Sequence, residues 1–220
     1  MNFTKVKTIA LVGGLIWMGA AMAIEEPAYK VVSTAGDYEV RHYAPMMVAQ
    51  VLVDGDMDAA SSKGFRLIAD YIFGNNQSAQ TASSAKIAMT APVTAVPQSS
   101  KIAMTAPVTA EPQTAELDMQ TANKWLIHFV MPSQYTLENI PKPKNDAVSL
   151  RQIPEKHFVV FKYSGFNTTA KIQHLTEETI SWAKGKGMQI VGAPRLSRYD
   201  PPWTLPMFRR NEIMIEVAAP

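Results

Sequence analysis

The chain has 220 residues, 47 % of them hydrophobic, and no cysteine. That is enough for one domain with a sizeable core held by packing alone, and it excludes thiolate catalysis, cysteine-ligated zinc, covalent C-x-x-C-H attachment of haem and lipid anchoring through cysteine. A formal charge of +2 excludes a basic footprint for nucleic acid.

The first residues carry that small excess. Lys5 and Lys7 precede an apolar run from Thr8 to Gly19, and Ala21-Met22-Ala23 follows with small residues at both specificity positions of a cleavage site. This order predicts a secretory signal peptide over residues 1–23, with cleavage after Ala23. The run is too short to cross about 30 Å of hydrocarbon as a helix. Lys5 and Lys7 are the only charges in the signal, so its removal takes the 21 basic groups to 19, level with the 19 acidic ones. The expectation is an exported protein, periplasmic or extracellular, not membrane-spanning after cleavage, with one domain over 24–220.

Tyr38 to Tyr43 alternates as a strand, Ala44-Pro45 breaks it, and Met46 to Val53 reads as a second strand. Asp56 is a good N-cap for a helix over Met57 to Phe73, in which Phe65, Ile68 and Ile72 recur at helical spacing, and Gly74 stands at the C-terminal cap. A polar loop leads to an internal repeat: Lys86 to Ala95 recurs letter for letter as Lys101 to Ala110, each copy followed by a variable residue and Pro-Gln. Two copies at this short period make a local duplication, not a solenoid. Lys124 to Met131 is a strand with Trp125, Ile127 and Phe129 on one face. After a proline-rich connection, Ala147 to Ile153 and His157 to Tyr163 read as strands. Asn167 caps a second helix whose stripe is Ile172, Leu175, Thr179 and Trp182, stopped by Gly185 and Gly187. Gln189 to Gly192 is a short strand, Tyr199 to Pro206 a rigid loop, and Glu212 to Val217 a last strand with Ile213, Ile215 and Val217 inward. Two similar halves of strands and one helix each predict an α+β domain: a curved antiparallel sheet or open, distorted β-barrel of two pseudo-symmetric halves, with two main helices.

Three segments in order resemble the SOUL haem-binding family. They are Asp37-Tyr38-Glu39-Val40-Arg41-His42-Tyr43, the Lys-Ile-Ala-Met-Thr-Ala-Pro-Val repeat, and Tyr199-Asp200-Pro201-Pro202-Trp203-Thr204 followed by Arg209-Arg210-Asn211-Glu212. The resemblance runs from about Pro27 to Val217. It implies the distorted two-half barrel shared with effector-binding domains of transcription regulators. It also implies noncovalent binding of haem or a related tetrapyrrole in an apolar groove beside the first helix, the helix of Phe65, Ile68 and Ile72. The repeat departs from the family pattern, since either copy can occupy the family strand; the second lies nearer the strand that follows.

His42 is the foremost candidate iron ligand, because a neutral imidazole is a normal haem ligand; the structural alternative is a half-exposed strand histidine bonded to a neighbour. Met89 and Met104 can ligate iron through sulfur or simply fill core gaps, and Met46, Met47 and Met57 read the same way, although a methionine-rich wall suits an adaptable groove. Arg41, Arg66, Arg209 and Arg210 can hold propionates in forked hydrogen bonds, with an ordinary ion pair as the alternative for each, Arg210 with Glu212 above all. His128 is expected to be a satisfied strand residue, His157 and His174 to face water, and Trp203 with Leu205 to form a pocket lid or a core plug. No helix carries His-Glu-x-x-His, and no nucleophile elbow or phosphate loop occurs. The expectation is a haem or tetrapyrrole carrier or buffer and not an enzyme. The alternative is an envelope module binding a small molecule, lipid or peptide without haem.

Overall fold

The computed structural model describes residues 24–219 except 79, 80, 82, 99–118, 120, 121 and 202. The signal segment, the second repeat copy and Met104 therefore lie outside the described residues. The elements in order are β1 (Tyr29–Ala35), β2 (Tyr38–Tyr43), β3 (Met46–Asp54), α1 (Met57–Phe73), β4 (Asn76–Gln77), β5 (Val93–Pro97), β6 (Lys124–Val130), β7 (Lys142–Pro143), β8 (Ser149–Ile153), β9 (Lys156–Tyr163), α2 (Thr169–Gly185), β10 (Arg195–Arg198), a 3-10 turn (Pro206–Phe208) and β11 (Asn211–Val217).

Nine of these strands form one antiparallel sheet in the order β1-β2-β9-β11-β10-β5-β6-β3-β8. From β2 to β8 the order is its own mirror image: exchanging β2 with β8, β3 with β9, β5 with β10 and β6 with β11 reverses it. The two halves meet where β5 pairs with β10, Thr94 opposite Ser197. The curled sheet with two helices is an α+β fold, and the strand order carries the expected pseudo-symmetry into the tertiary structure.

Both helices lie on one face. α1 packs on β3, β6 and β5, and α2 on β11 and β9. Between helices and sheet lies the main core, including Val51, Trp125, Ile127, Phe129, Val159 and Ile213, all buried. The alternation of β6 and β11 therefore places the expected residues inward. α1 starts where Asp56 Oδ1 accepts from Asp58 N at 3.0 Å and Ala59 N at 2.8 Å, and it ends at Gly74 with φ 128°. At Gly64 the helix comes so close to the sheet that a Cβ there would stand 2.6 Å from Ile127 Cγ1. α2 is capped by Thr168, one residue later than expected, through its Oγ1 accepting from Lys171 N at 3.3 Å.

Two sheet strands escape the sequence pattern. β1 is an edge strand, mostly exposed, joined to β2 by a turn at Gly36 with φ 61°; without a buried face it has no apolar alternation to read. β10 is short and its buried residues include Ser197, so polarity masks it. Gln189 to Gly192 contributes only an isolated bridge between Ile190 and Val217. Of the duplicated segment, the first copy supplies β5, inserted between β10 and β6. The strand β5 thus comes from the copy farther from β6 along the chain.

Candidate ligand cleft

The sheet face away from the helices carries a small apolar cluster, Tyr43, Phe158, Val160 and Met214, and two polar groups related by the pseudo-symmetry. At the junction of the halves the Thr94 and Ser197 hydroxyls are hydrogen-bonded at 2.9 Å. Beside Thr94 on β6 stands His128, and beside Ser197 on β11 stands Glu212. The same position in each half thus holds a buried titratable side chain.

Glu212 is saturated. Its carboxylate accepts from both ends of the Arg41 guanidinium at 3.0 and 3.1 Å, from Arg210 Nε at 3.0 Å and from the Tyr199 hydroxyl at 2.8 Å. Arg41 also donates to the Tyr43 hydroxyl at 2.9 Å. Burial pushes the Tyr43 phenol up to about 12, and burial together with Glu212 raises that of Tyr199. Both rings therefore stay protonated and act as hydrogen-bond groups.

His128 is the opposite case. Burial, helped by the nearby charges of Arg195 and Arg151, pushes its imidazole down to about 3, and its Nδ1 is buried without a hydrogen-bond partner. The expectation of a satisfied strand histidine is corrected here: β6 is interior, and no neighbouring side chain reaches that nitrogen. Arg195, on β10, pairs through Nη2 with Glu216, which also binds Lys156, while its Nε is buried without a partner.

A cleft opens on this face in two adjoining cavities that share Pro27, Met46 and Val130. The inner one, of about 30 Å³, is lined among others by Thr94, His128, Arg195, Ser197, Tyr43 and Tyr199. The outer one, of about 470 Å³, has a floor of Met46, Met47, Met131, Val130 and Tyr135, and carboxylates of Glu25, Glu26 and Glu138 toward its edge. Glu25 accepts from Ser133 N at 2.8 Å and Glu26 is held by Arg210 at 3.0 Å.

The candidate residues read from sequence do not converge on one place. Arg41 and Arg210 meet at Glu212, where Arg41 is fully buried and its fork is occupied. His42 points to the other face of β2, where its Nε2 lies 3.2 Å from Glu155 and its ring stacks on His157 at 4.4 Å. His157 is therefore half-buried against His42 instead of facing water, whereas His174 is exposed and pairs with Glu178. Ile68 and Ile72 are fully buried between α1 and the sheet, while Phe65 is half-exposed and packs on Phe129. Met89 is partly exposed and lines neither cavity. Trp203 and Leu205 are neither lid nor plug: they are 83 % and 58 % exposed. Met46 and Met47 line the outer cavity, while Met47 and Met57 are also buried in the main core, as gap-filling methionines would be. Ser197 and Arg195 had no sequence signal, and Thr94, Tyr43 and Tyr199 stood within the quoted motifs without being singled out; the pairing of β5 with β10 brings Thr94 to Ser197.

Among the described residues no group of three or more His, Asp or Glu is placed to hold a metal ion, and no helix is long and apolar enough to cross a membrane. The family model for the SOUL heme-binding protein matches residues 24–216. No curated protein matches the chain. Among solved structures, the EcmrR C-terminal domain is similar with a TM-score of 0.56 at 11 % identity, covering 87 % of this chain and 99 % of that one. An uncharacterized conserved protein from Listeria innocua gives a TM-score of 0.55 at 14 % identity, covering 83 % and 92 %. A protein from Listeria innocua described as a hydrolase gives 0.52 at 13 % identity, covering 85 % and 94 %. At these identities the likeness is one of fold.

Proposed function

Because the chain belongs to the SOUL haem-binding family, we propose that it binds haem or a related tetrapyrrole noncovalently in this cleft, as a carrier or buffer and not as an enzyme. The observation that carries the reading is the outer cavity: about 470 Å³ is within the range of roughly 300–1,000 Å³ typical of small-molecule pockets. Its floor of thioethers, Val130 and a tyrosine suits a flat apolar macrocycle, and apolar burial scales with the area covered. Among the described residues no histidine lines that cavity, and Met46, Met47 and Met131 would be the side chains set against a bound macrocycle. Bound haem supplies an iron centre; the chain's own residues supply burial, shape and charge. The saturated Glu212 network ties β2 to β11 across β9 and occupies the Arg41 fork.

The test is an absorption titration of the protein from Ile24 onward with haemin at low and high salt. A saturable Soret shift with nearly unchanged affinity is expected, since salt screens exposed charges and spares apolar burial. No saturable shift, or affinity that collapses as salt rises, refutes the reading.

A further inference from the structure

The inner cavity is small, yet two of the residues that line it carry buried polar atoms without a hydrogen-bond partner. His128 Nδ1 and Arg195 Nε are both buried without partners, and both residues line this cavity. A buried polar group left unbonded bears its full desolvation cost, and native proteins keep few of them. Two in one cavity call for a ligand atom. The surroundings give its sign. Arg195 and Lys156 share a single carboxylate, Glu216, and Arg151 is near enough to act on both His128 and Arg195. Two lining cations, Arg195 and Lys156, thus share one anion at the inner end with Arg151 adding positive potential, while Glu25 and Glu138 line the outer cavity and Glu26 there is paired with Arg210.

We propose that the inner cavity is a carboxylate site, in which Arg195 Nε and His128 Nδ1 donate to one carboxylate of an apolar acid whose body lies in the outer cavity. The space of about 30 Å³ accepts a group of two heavy oxygens, since one water needs roughly 10–15 Å³ on the same scale. A neutral imidazole carries one ring proton, and with that proton on Nδ1 it is a second donor beside the guanidinium. The polarity of the cleft orients the ligand: an acid entering tail-first would set its carboxylate among the rim glutamates. For a tetrapyrrole the group held is one propionate, and in that respect the inference rests on the preceding reading.

The experiment titrates the protein from Ile24 onward with iron-free protoporphyrin IX and with its dimethyl ester, so that iron ligation contributes nothing. The acid is expected to bind at least about tenfold more tightly than the ester, the worth of one charge-assisted hydrogen bond. The gap closes in Arg195→Met and in His128→Leu. Equal affinity of wild type for acid and ester overturns the carboxylate site and leaves tetrapyrrole binding standing. A gap that persists in both folded variants overturns it as well; if neither variant folds, the wild-type comparison decides. If neither porphyrin binds, the tetrapyrrole reading falls, and hexanoate against hexanol decides the site. A shift of the His128 ring resonances with hexanoate alone upholds it, and no shift overturns it.

Discussion

His128 couples the cleft to pH. An unfolded histidine titrates near ~6.5, and burial holds the folded imidazole down at about 3. Between those values the unfolded chain binds the extra proton, so the contribution of His128 is complete above ~6.5 and is lost as pH falls toward 3, at up to about 1.4 kcal/mol per pH unit. Denaturant unfolding of wild type and His128→Leu at pH 7 and pH 4.5 checks this: wild type should lose more stability on acidification than the variant. Parallel losses would assign the acid sensitivity to other groups. His42 provides a second residue-scale test. It stands on the helix side of β2 with Glu155 and His157, away from the cleft. His42→Ala is therefore expected to leave the Soret band of bound haem in place and to change stability by about 1 kcal/mol or less. A moved band would make His42 the iron ligand and put the macrocycle on the opposite face.

At the scale of elements, two contacts set the positions of α1 and β5. The Gly64 Cα lies against Ile127 with no room for a methyl group. Gly64→Ala gains helix propensity but forces α1 off β6, and overpacking of this kind costs about 1–3 kcal/mol. A lowered melting temperature is the expected result; an unchanged or raised one would show that the helix shifts freely. The duplicated segment offers the other test. Because the ten residues of the copies are identical, deletion of residues 101–115 should leave the melt cooperative. Deletion of residues 86–100 lets Lys101 to Ala110 supply β5, but it sets Glu111 where Val96, 8 % exposed, now lies opposite Leu126. This second deletion variant is expected to fold cooperatively and melt lower, since a buried carboxylate without a partner is costly. Loss of cooperative unfolding on deletion of 101–115 would show that both copies are integral.

For the whole molecule, the proposed export predicts that protein recovered from an envelope fraction begins at Ile24. Intact mass measures this directly, and retention of Met1 to Ala23 would refute it. With the two signal lysines gone, the formal charges balance, and ligand capture then depends on the local polarity of the cleft instead of a global field. That polarity arises across the halves: Arg195 and Glu216 come from the second, His128 from the first, and Glu25 from the segment before β1.

The sequence by itself determined the elements whose periodicity reflects one buried face: α1 with its Asp56 and Gly74 caps, α2, the inward residues of β6 and β11, and the pairing of two like halves into an α+β fold. Local alternation suffices there because burial repeats with the pleat or the helical turn. It also carried the family motifs. The tertiary structure alone decided the site. Arg41 looked available until Glu212, 171 positions away, occupied its fork. His128 looked satisfied until β6 proved interior. Thr94, Ser197 and Arg195 became neighbours only through the pairing of β5 with β10. Such contacts join residues far apart along the chain, and a pattern read within a short window of sequence contains no record of them.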